Sequence, residues 1–576
     1  GPDGKGHYEN GRVGLAHTRL AIIDLIGGAQ PLYNEDRSLA LVANGEIYNY
    51  LELRRELQDL GHRFSTHSDC ETILHAYEAW GERFAEHLHG MFAFALHDTH
   101  RDELILARDR LGIKPLYFAS ADRGFAFASE LKALLPFLGT PQVDPAGLAE
   151  YLQNGWESAP RTLIRGVQKL MPGSIVRIGA TGDLFSHRYW SPTAVRPAAW
   201  GLAEALERFD AVMQEVIEVH LRSDVPVGLF LSGGVDSSVL AALIAPRMAE
   251  PLRTFSVGFP GSSVDSELGA AAEVASRFGT QHTPLEVTVD AMLERLPHAV
   301  WAADDLMADY ANLPVSLLAE VAGEQLKVVF SGEGGDEVFA GYIRYRQPWH
   351  KRLATWLRYP GAGGFRPHGT FHKLPASLYQ PDLSRAMHGS RAPFIRAWRE
   401  TPHGWTDLMR RQYIDIMTWL PDQLLVKADR MLMAWGVEGR VPFLDHRVVE
   451  FGLALPDALK VHGGAGKRFL KLWAERLLPP EALWTPKKGF FVPLRDRLRG
   501  EWLERYAAVV PTSIGVRRWF DIPALERLIE VQRRTGKAAK PLMRVLIFAL
   551  WHRLFVEGDG QIPPRQQDPL TFLQAG

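Results

Sequence analysis

Two hydrophobic rhythms divide this chain. Up to residue 190, short alternating segments dominate: Leu39 to Val42, Phe92 to Leu96, Glu103 to Ala107, Phe125 to Ala128 and Ser174 to Ile178. A period of two over short runs, punctuated by turn residues, predicts antiparallel strands. Helix-like stretches intervene at Tyr50 to Leu60 and Cys70 to Trp80, so an αββα layering is expected. The best seam is Ser191 to Gly201, rich in Pro and Ala. Beyond it the pattern becomes strand, helix, strand: Val225 to Leu231, Val239 to Met248, Leu252 to Phe259, Ser266 to Phe278, and the apolar run Val328 to Phe330. Such alternation predicts a parallel sheet covered by helices, with ligands at the carboxyl ends of its strands. From Leu408 onward the chain reads mostly as amphipathic helix rich in Trp, Leu and Arg. The expected units are residues 1–190, a linker at 191–201, and residues 202–560.

Composition narrows the class. The 576 residues are 46% hydrophobic and 23% charged, with a formal net charge of −2, ordinary for a soluble globular protein. That balance gives no electrostatic case for nucleic acid or an anionic membrane. The single cysteine excludes an internal disulfide framework and points to a reducing cytoplasm. No apolar run approaches the length of a membrane span.

The most informative stretch is Ser232-Gly-Gly-Val-Asp236-Ser237-Ser238, lying between a strand-like and a helix-like segment. Glycines let the backbone approach phosphates, free N–H groups point at them, and the helix dipole favours negative charge. Asp236 adds a carboxylate where a phosphate-bound Mg²⁺ would sit. No GxxxxGK[ST] occurs, so this is not a Walker loop. It resembles the pyrophosphate loop of ATP pyrophosphatases. A second loop, Ser331-Gly-Glu-Gly-Gly-Asp-Glu337, crowds Glu333, Asp336 and Glu337 among glycines, which suits a divalent metal carrying phosphates.

Together with Thr254 to Phe259, Val338 to Tyr342, Asp429-Arg430, Glu438 to Asp445 and Lys487-Lys-Gly-Phe490, these loops resemble the glutamine-dependent asparagine synthetases. The resemblance implies an ATP-pyrophosphatase-type fold for the second half. It also implies adenylation: a carboxylate attacks the α-phosphorus of ATP, pyrophosphate leaves, and ammonia attacks the acyl-AMP. The ATP site it implies is Leu231, Ser232, Gly233, Gly234, Asp236, Ser237, Ser238, Val257, Ser331 and Gly332, with Asp236 and Asp336 as Mg²⁺ carboxylates. Glu333 matches a carboxylate at the reacting centre, and Lys487 a lysine that stabilises charge on the phosphates. Lys488 is its alternative. Asp304-Asp-Leu-Met-Ala-Asp-Tyr310 departs from the family's Asp-Glu-Pro pattern. Asp304, Asp305 and Asp309 keep the acidity, whereas Leu306 and Tyr310 do not keep the type. The departure leaves two acceptors open: aspartate, or another carboxylate such as one on a cell-surface sugar or secondary metabolite.

The first half resembles the class II glutamine amidotransferase domain, an Ntn-hydrolase-like fold. The matching motifs are Arg19 to Asp24, Asn44 to Asn49, Ser68 to Glu71, Gly90 to Phe94 and Arg108 to Tyr117. By this resemblance Arg19 clamps the glutamine α-carboxylate, Glu46 and Asp69 bind its α-ammonium, and Asn44 and Gly45 serve the oxyanion. Asn44-Gly45 also reads as a hairpin turn. Such domains use an N-terminal cysteine. Gly1-Pro-Asp-Gly4 matches an internal segment of the family, so a truncated chain is expected in preference to a lost glutaminase that leaves an ammonia-only synthetase. Cys70, lacking a free α-amine, reads as a small buried residue. The expected partners are glutamine, the acceptor carboxylate and ATP, without nucleic acid or membrane, and with a homodimer left open. Asp429 to Phe443 reads either as the wall of an ammonia passage between the halves or as a buried ion-pair cluster.

Overall fold

The computed structural model describes residues 1–121, 124–259, 267–363, 374–484, 492 and 497–575. In the first half an antiparallel six-stranded sheet runs in the order Leu184–Arg188, Ser174–Ile178, Glu103–Arg108, Gly90–Asp98, Leu39–Ile47, Leu32–Tyr33. Alternation sends successive side chains to opposite faces. Leu39, Leu41 and Ala43, with Phe92, Phe94 and Leu96, face the helices Tyr50–Asp59 and Glu71–Trp80, packing on Leu53, Leu57, Ile73 and Leu74. The opposite face carries smaller residues, Ala40, Val42, Ala93 and Ala95. Their size admits the hairpin Gly4–Asn10/Val13–Arg19 and the three-stranded sheet of Tyr117–Ala121, Gly124–Ala128 and Val167–Lys169. Helix Pro145–Asn154 covers that second sheet through Leu148, Tyr151 and Leu152, completing the αββα order. Its core continues into Met292, Leu296 and Leu546 of the second half.

The second half is built on a five-stranded, wholly parallel sheet ordered Gln281–Glu286, Arg253–Gly258, Val227–Phe230, Val328–Phe330, Glu438–Arg440. Val227, Leu229, Val328 and Phe330 pack towards helices Leu202–His220 and Val235–Ile244. Phe255, Val257 and Val329 pack the other way, towards Asn312–Gly323. Helices therefore cover both faces, as a parallel sheet requires. No helix among the described residues is long and apolar enough to cross a membrane.

Two local expectations are corrected, and the alternative hairpin reading of Asn44-Gly45 does not hold. Asn44 and Gly45 lie inside strand Leu39–Ile47, opposite Ala93 and Phe92, not in a hairpin turn. Pairing on the Gly90–Asp98 side holds them extended. The helix expected from Val239 begins at Val235, so Asp236, Ser237 and Ser238 occupy its first turn. Glu438–Arg440 forms an edge strand within a region read as helical, because Glu438 N bonds Lys327 O at 2.7 Å and the run then pairs with Val328–Phe330.

Phe209, on helix Leu202–His220, is fully buried behind the site. Its ring meets those of Phe339, Phe451, Phe469 and Trp473 at centroid distances of 5.3, 5.1, 5.4 and 4.8 Å. Phe209→Ala should cost about 3–5 kcal/mol, because no neighbour is free to fill the space. Scanning calorimetry should show a lowered transition for the second half, and an unchanged transition would contradict this packing role.

Candidate functional site

Strand Val227–Phe230 ends at buried Leu231, whose N–H bonds Phe255 O at 2.8 Å. The chain then turns through Ser232 and Gly233 and enters the helix with Gly234 in an extended conformation. Gly233 has φ +71°, and a Cβ there would lie 2.6 Å from Ala270. Only glycine fits that turn. The first helical bond is Ser238 N to Gly234 O, 3.0 Å, so the preceding N–H groups have no helical partner. Ser237 Oγ braces the loop: it accepts from Ser232 N at 3.2 Å and lies 3.1 Å from Ser232 Oγ. Ser238 Oγ is buried and makes no hydrogen bond among the described residues. This open helix start with a spare hydroxyl fits a polyphosphate. Val257, near the carboxyl end of the neighbouring strand, is buried beside it.

The second loop follows strand Val328–Phe330 and lies against the first. Ser331 N bonds Arg440 O at 2.9 Å. A Cβ on Gly332 would lie 2.8 Å from Asp236 Cβ, and one on Gly335 2.5 Å from Asp236 Oδ1. Two glycines thus set how closely Asp236 and Asp336 approach. Between them sits Lys467, whose Nζ contacts Asp236 Oδ2 and lies 2.9 Å from Asp336 Oδ1. Burial works against this ammonium, but the two carboxylates hold its pKa above the usual lysine range. A cation already bridges the pair, and the carboxylates are hard oxygen donors, so the residues fit Mg²⁺ at this point. Lys467 was not singled out from sequence. It stands in a Gly-Lys-Arg run with no characteristic spacing, and its backbone is left-handed, φ +54°. Lys487 and Lys488 lie outside the described residues.

Glu333 faces another buried lysine. Lys427 Nζ is 3.4 Å from Glu333 Oε1 and 3.2 Å from Asp309 Oδ2. Despite burial, these carboxylates raise the Lys427 pKa. Glu337 is buried and takes a hydrogen bond from the Tyr342 hydroxyl at 2.6 Å. Burial and the neighbouring Asp336 charge push its carboxyl up to about 7. The acidic run from Asp304 divides in function. Asp304 is paired with Lys132 at 3.4 Å and Arg430 at 3.8 Å, and Asp305 with Lys169 at 2.9 Å and the Tyr117 hydroxyl at 2.8 Å. Both are buried and turned to the first half, and of the three acids only Asp309 reaches Glu333 through Lys427. The departing residues Leu306 and Tyr310 pack in the core.

In the first half, Arg19 Nη2 donates to Ile23 O at 3.0 Å and Asp24 O at 2.7 Å. Asp24 in turn takes His67 N at 2.8 Å, bringing Arg19 beside the loop that carries Asp69. Gly45 has φ +150°, and a Cβ there would lie 2.7 Å from Phe92 Cα. Asn44 precedes it, half-buried. Asp69 Oδ2 accepts Ile47 N at 2.7 Å, which sets it next to Glu46. Burial pushes both carboxyls up, Asp69 to about 6, while Arg440 opposes the rise at Glu46. Two buried, adjacent carboxylates are a site for a cation. Cys70 is buried with its thiol pushed well up, so it is a packing residue, not a nucleophile.

The segment from Asp429 to Phe443 joins the halves by ion pairs. Arg440 Nη2 lies 3.1 Å from Glu46 and its Nε 3.1 Å from Glu438, while Nη1 donates to His220 O and Arg222 O at 2.6 Å each. Lys114 Nζ lies 3.1 Å from Asp429 and 3.8 Å from Glu438. Arg430 reaches Glu130 at 3.6 Å. The ion-pair reading of this segment is the one these contacts support.

A family model described as asparagine synthase matches residues 208–553, and one described as glutamine amidotransferase domain matches residues 1–190. A putative asparagine synthetase (glutamine-hydrolyzing) of Mycobacterium bovis is 38% identical over 100% of this chain and 94% of its own length. Asparagine synthetase (glutamine-hydrolyzing) 1 of Bacillus subtilis is 33% identical over 97% and 92%. Amidase chyE of Penicillium rubens is 30% identical over 80% and 77%.

The shift at Asp69 yields a stability test. Its folded pKa, about 6, lies above the ordinary 3.8, so its protonation favours the folded state at low pH and that gain is lost as pH rises through about 6. Asp69→Asn, which can still accept from Ile47 N, should flatten the pH dependence of stability between about 4 and 6 and leave the protein more stable than the parent at pH 8. Denaturation midpoints at pH 4, 6 and 8 decide it, and parallel curves for the two proteins would contradict the assignment.

Proposed function

The chain belongs to the asparagine synthase family, and on that premise we propose that it converts aspartate, glutamine, ATP and water to asparagine, glutamate, AMP and pyrophosphate. The supporting observation is the convergence of Asp236, Asp336 and Lys467 at an open helix start, one loop away from the Glu333–Lys427–Asp309 chain. We take the catalytic halves as residues 1–190 and 202–560, with 191–201 joining them. ATP use and a single buried cysteine suit the cytoplasm.

The phosphate chain lies along the helix start, with N–H groups, Ser232, Ser237 and Ser238 receiving its oxygens. Val257, Ser331 and Gly332 border the adenosine. Asp236 and Asp336 would hold Mg²⁺, which when bound neutralises charge on the phosphates. Lys467 adds a fixed positive charge beside them, and Lys487 or Lys488 is assigned the same task. The aspartate side-chain carboxylate attacks the α-phosphorus, the bond to the bridging oxygen breaks, and pyrophosphate leaves. Lys427 borders the acceptor and balances its charge. Ammonia attacks the acyl carbon, AMP leaves, and Glu333 takes the surplus proton. The burial of Leu306 in the core takes that departing residue out of contact with an acceptor, which supports aspartate in that role. In the first half, Arg19 holds the glutamine α-carboxylate, Glu46 and Asp69 its α-ammonium, and Asn44 and Gly45 the oxyanion.

Aspartate-dependent pyrophosphate release driven by ammonium tests the synthetase assignment. Asp236→Asn and Asp336→Asn should each lower that rate by about 100-fold or more, the usual loss for one preorganised charged group. Near-parental release by either variant would remove that carboxylate from the site. Release that requires some other carboxylate would remove aspartate as the acceptor.

Arg19→Ala should weaken glutamine binding by about 10- to 100-fold, the worth of a charge-assisted fork. The ammonium-driven rate should stay at the parental value. Calorimetric titration with glutamine reads the first quantity, and an equal fall in both would place Arg19 outside the glutamine pocket.

A further inference from the structure

We propose that the first half carries a zinc site, distinct from both catalytic pockets, formed by Glu35, His62, His75 and Glu78. Each offers one ligand atom, and these atoms all lie within 4.8 Å of one another. The imidazole–carboxylate separations are His75 Nδ1 to Glu78 Oε2 3.2 Å, His62 Nδ1 to Glu35 Oε1 3.4 Å, His75 Nδ1 to Glu35 Oε2 3.5 Å and His62 Nδ1 to Glu78 Oε2 3.6 Å. A tetrahedron with zinc bonds of about 2.0–2.1 Å has edges of about 3.3–3.4 Å, close to these four separations, and with Glu35 giving one of its two oxygens a small inward turn of the side chains would bring the set onto one ion. Two imidazoles argue against Mg²⁺ and Ca²⁺, which take oxygen ligands. Despite burial, the surrounding carboxylates hold the His75 pKa up at about 9, so an entering ion would displace that proton, after which two carboxylates and two neutral imidazoles balance its charge.

The surroundings are those of a built metal site. His75 is fully buried, with Nδ1 aimed into the cluster and Nε2 3.7 Å from Glu71 Oε1. That distance is an ion-pair contact and not a hydrogen bond, so Glu71 places negative charge behind the ring without fixing its tautomer. Glu71 is itself fixed by Ser65 N at 2.6 Å and Thr66 N at 2.8 Å. Glu78 Oε1 accepts from Asn34 Nδ2 at 2.8 Å, leaving Oε2 to the histidines, and Glu35 Oε1 accepts Arg63 N at 2.8 Å. The Phe64 ring closes one side, edge-on to His75 at 4.4 Å.

The pattern is spread over three segments, which is why spacing in the sequence does not reveal it. Glu71, His75 and Glu78 share one face of helix Glu71–Trp80, His62 follows helix Tyr50–Asp59, and Glu35 lies in the turn before strand Leu39–Ile47. Four protein ligands leave no open position, so the site is structural. It would tie down the helix that begins two residues after Asp69, and so hold one wall of the glutamine pocket.

The test is calorimetric titration of the chelator-treated full chain with ZnCl₂, beside the cobalt spectrum and thermal midpoints. The parent should bind one equivalent saturably, give the intense visible bands of tetrahedral cobalt, and melt higher with zinc. His62→Ala and Glu78→Gln, at partly exposed positions, should fold, bind at least tenfold more weakly and lose the zinc-dependent rise. His62→Cys should keep the binding and add a sulfur-to-cobalt charge-transfer band. The proposal is overturned if the parent shows no saturable binding, or if binding survives in both His62→Ala and Glu78→Gln. It is equally overturned if binding is abolished by Asp336→Asn instead, since zinc would then be sitting at the phosphate loops.

Discussion

The contact between Lys467 and the carboxylates of Asp236 and Asp336 is the constraint around which the second half is arranged. Two acids from different loops are brought together in a partly buried place, where their repulsion is costly without a cation. The loops can meet only because Gly332 and Gly335 have no Cβ to strike Asp236. They are aimed at one another because the strands Val227–Phe230 and Val328–Phe330 are adjacent and parallel, so their carboxyl ends share one edge. Behind them, Phe209 and its ring of aromatic neighbours fix Phe339, which follows the Asp336 helix. Lys467 is fixed to the same residue, with its N–H on Phe339 O at 3.2 Å. One residue, Phe339, therefore links the packing behind the loop that carries Asp336 to the backbone of Lys467.

What the sequence disclosed and what it hid follow from the range of the interactions. Strand Ser174–Ile178 and helix Glu71–Trp80 were legible because each is a short apolar-rich run bounded by turn residues, although the strand is buried on both faces and the helix around its first two turns. Asp236 and Asp336 stood out because each lies among glycines, a signal local in sequence, and the structure brings the two together. Lys467 and Lys427 were not: each acts through partners at least 90 residues away, and an isolated lysine carries no spacing signal. The edge strand Glu438–Arg440 was hidden for a similar reason. It has one apolar neighbour at each end and owes its extended form to a partner strand, not to its own composition. Asn44-Gly45, a strong local turn signal, was overridden by the ladder that pairs both residues with Gly90–Asp98.

The joint between the halves is made from charges that are largely out of water. Lys114, Asp429, Glu438, Arg440 and Glu46 are all buried, as are Lys169, Asp305 and Asp422 a little further along. Taking such groups from water costs several kcal/mol per ion, so these pairs add little net stability over an apolar joint. Their value is in geometry. A mis-docked pair of halves would leave unpaired buried charges, a far larger penalty than a shifted apolar contact. The apolar core shared by helix Pro145–Asn154 and the second half supplies the attraction, and the ions select one arrangement.

That arrangement runs a short line of contacts from one pocket to the other. Glu46, assigned to the glutamine α-ammonium, is also the partner of Arg440 at 3.1 Å. The backbone oxygen of the same Arg440 receives Ser331 N at 2.9 Å, and Ser331 opens the loop that carries Gly332 and Glu333. A cation arriving at Glu46 competes with the Arg440 guanidinium for one carboxylate. Arg440 cannot simply swing away, because Nη1 is held by His220 O and Arg222 O and Nε by Glu438. The competition therefore acts on the position of the edge strand Glu438–Arg440, and through a single backbone hydrogen bond on the start of the Glu333 loop. One residue, Arg440, thus touches Glu46 of the first half with its side chain and the start of the Glu333 loop with its backbone.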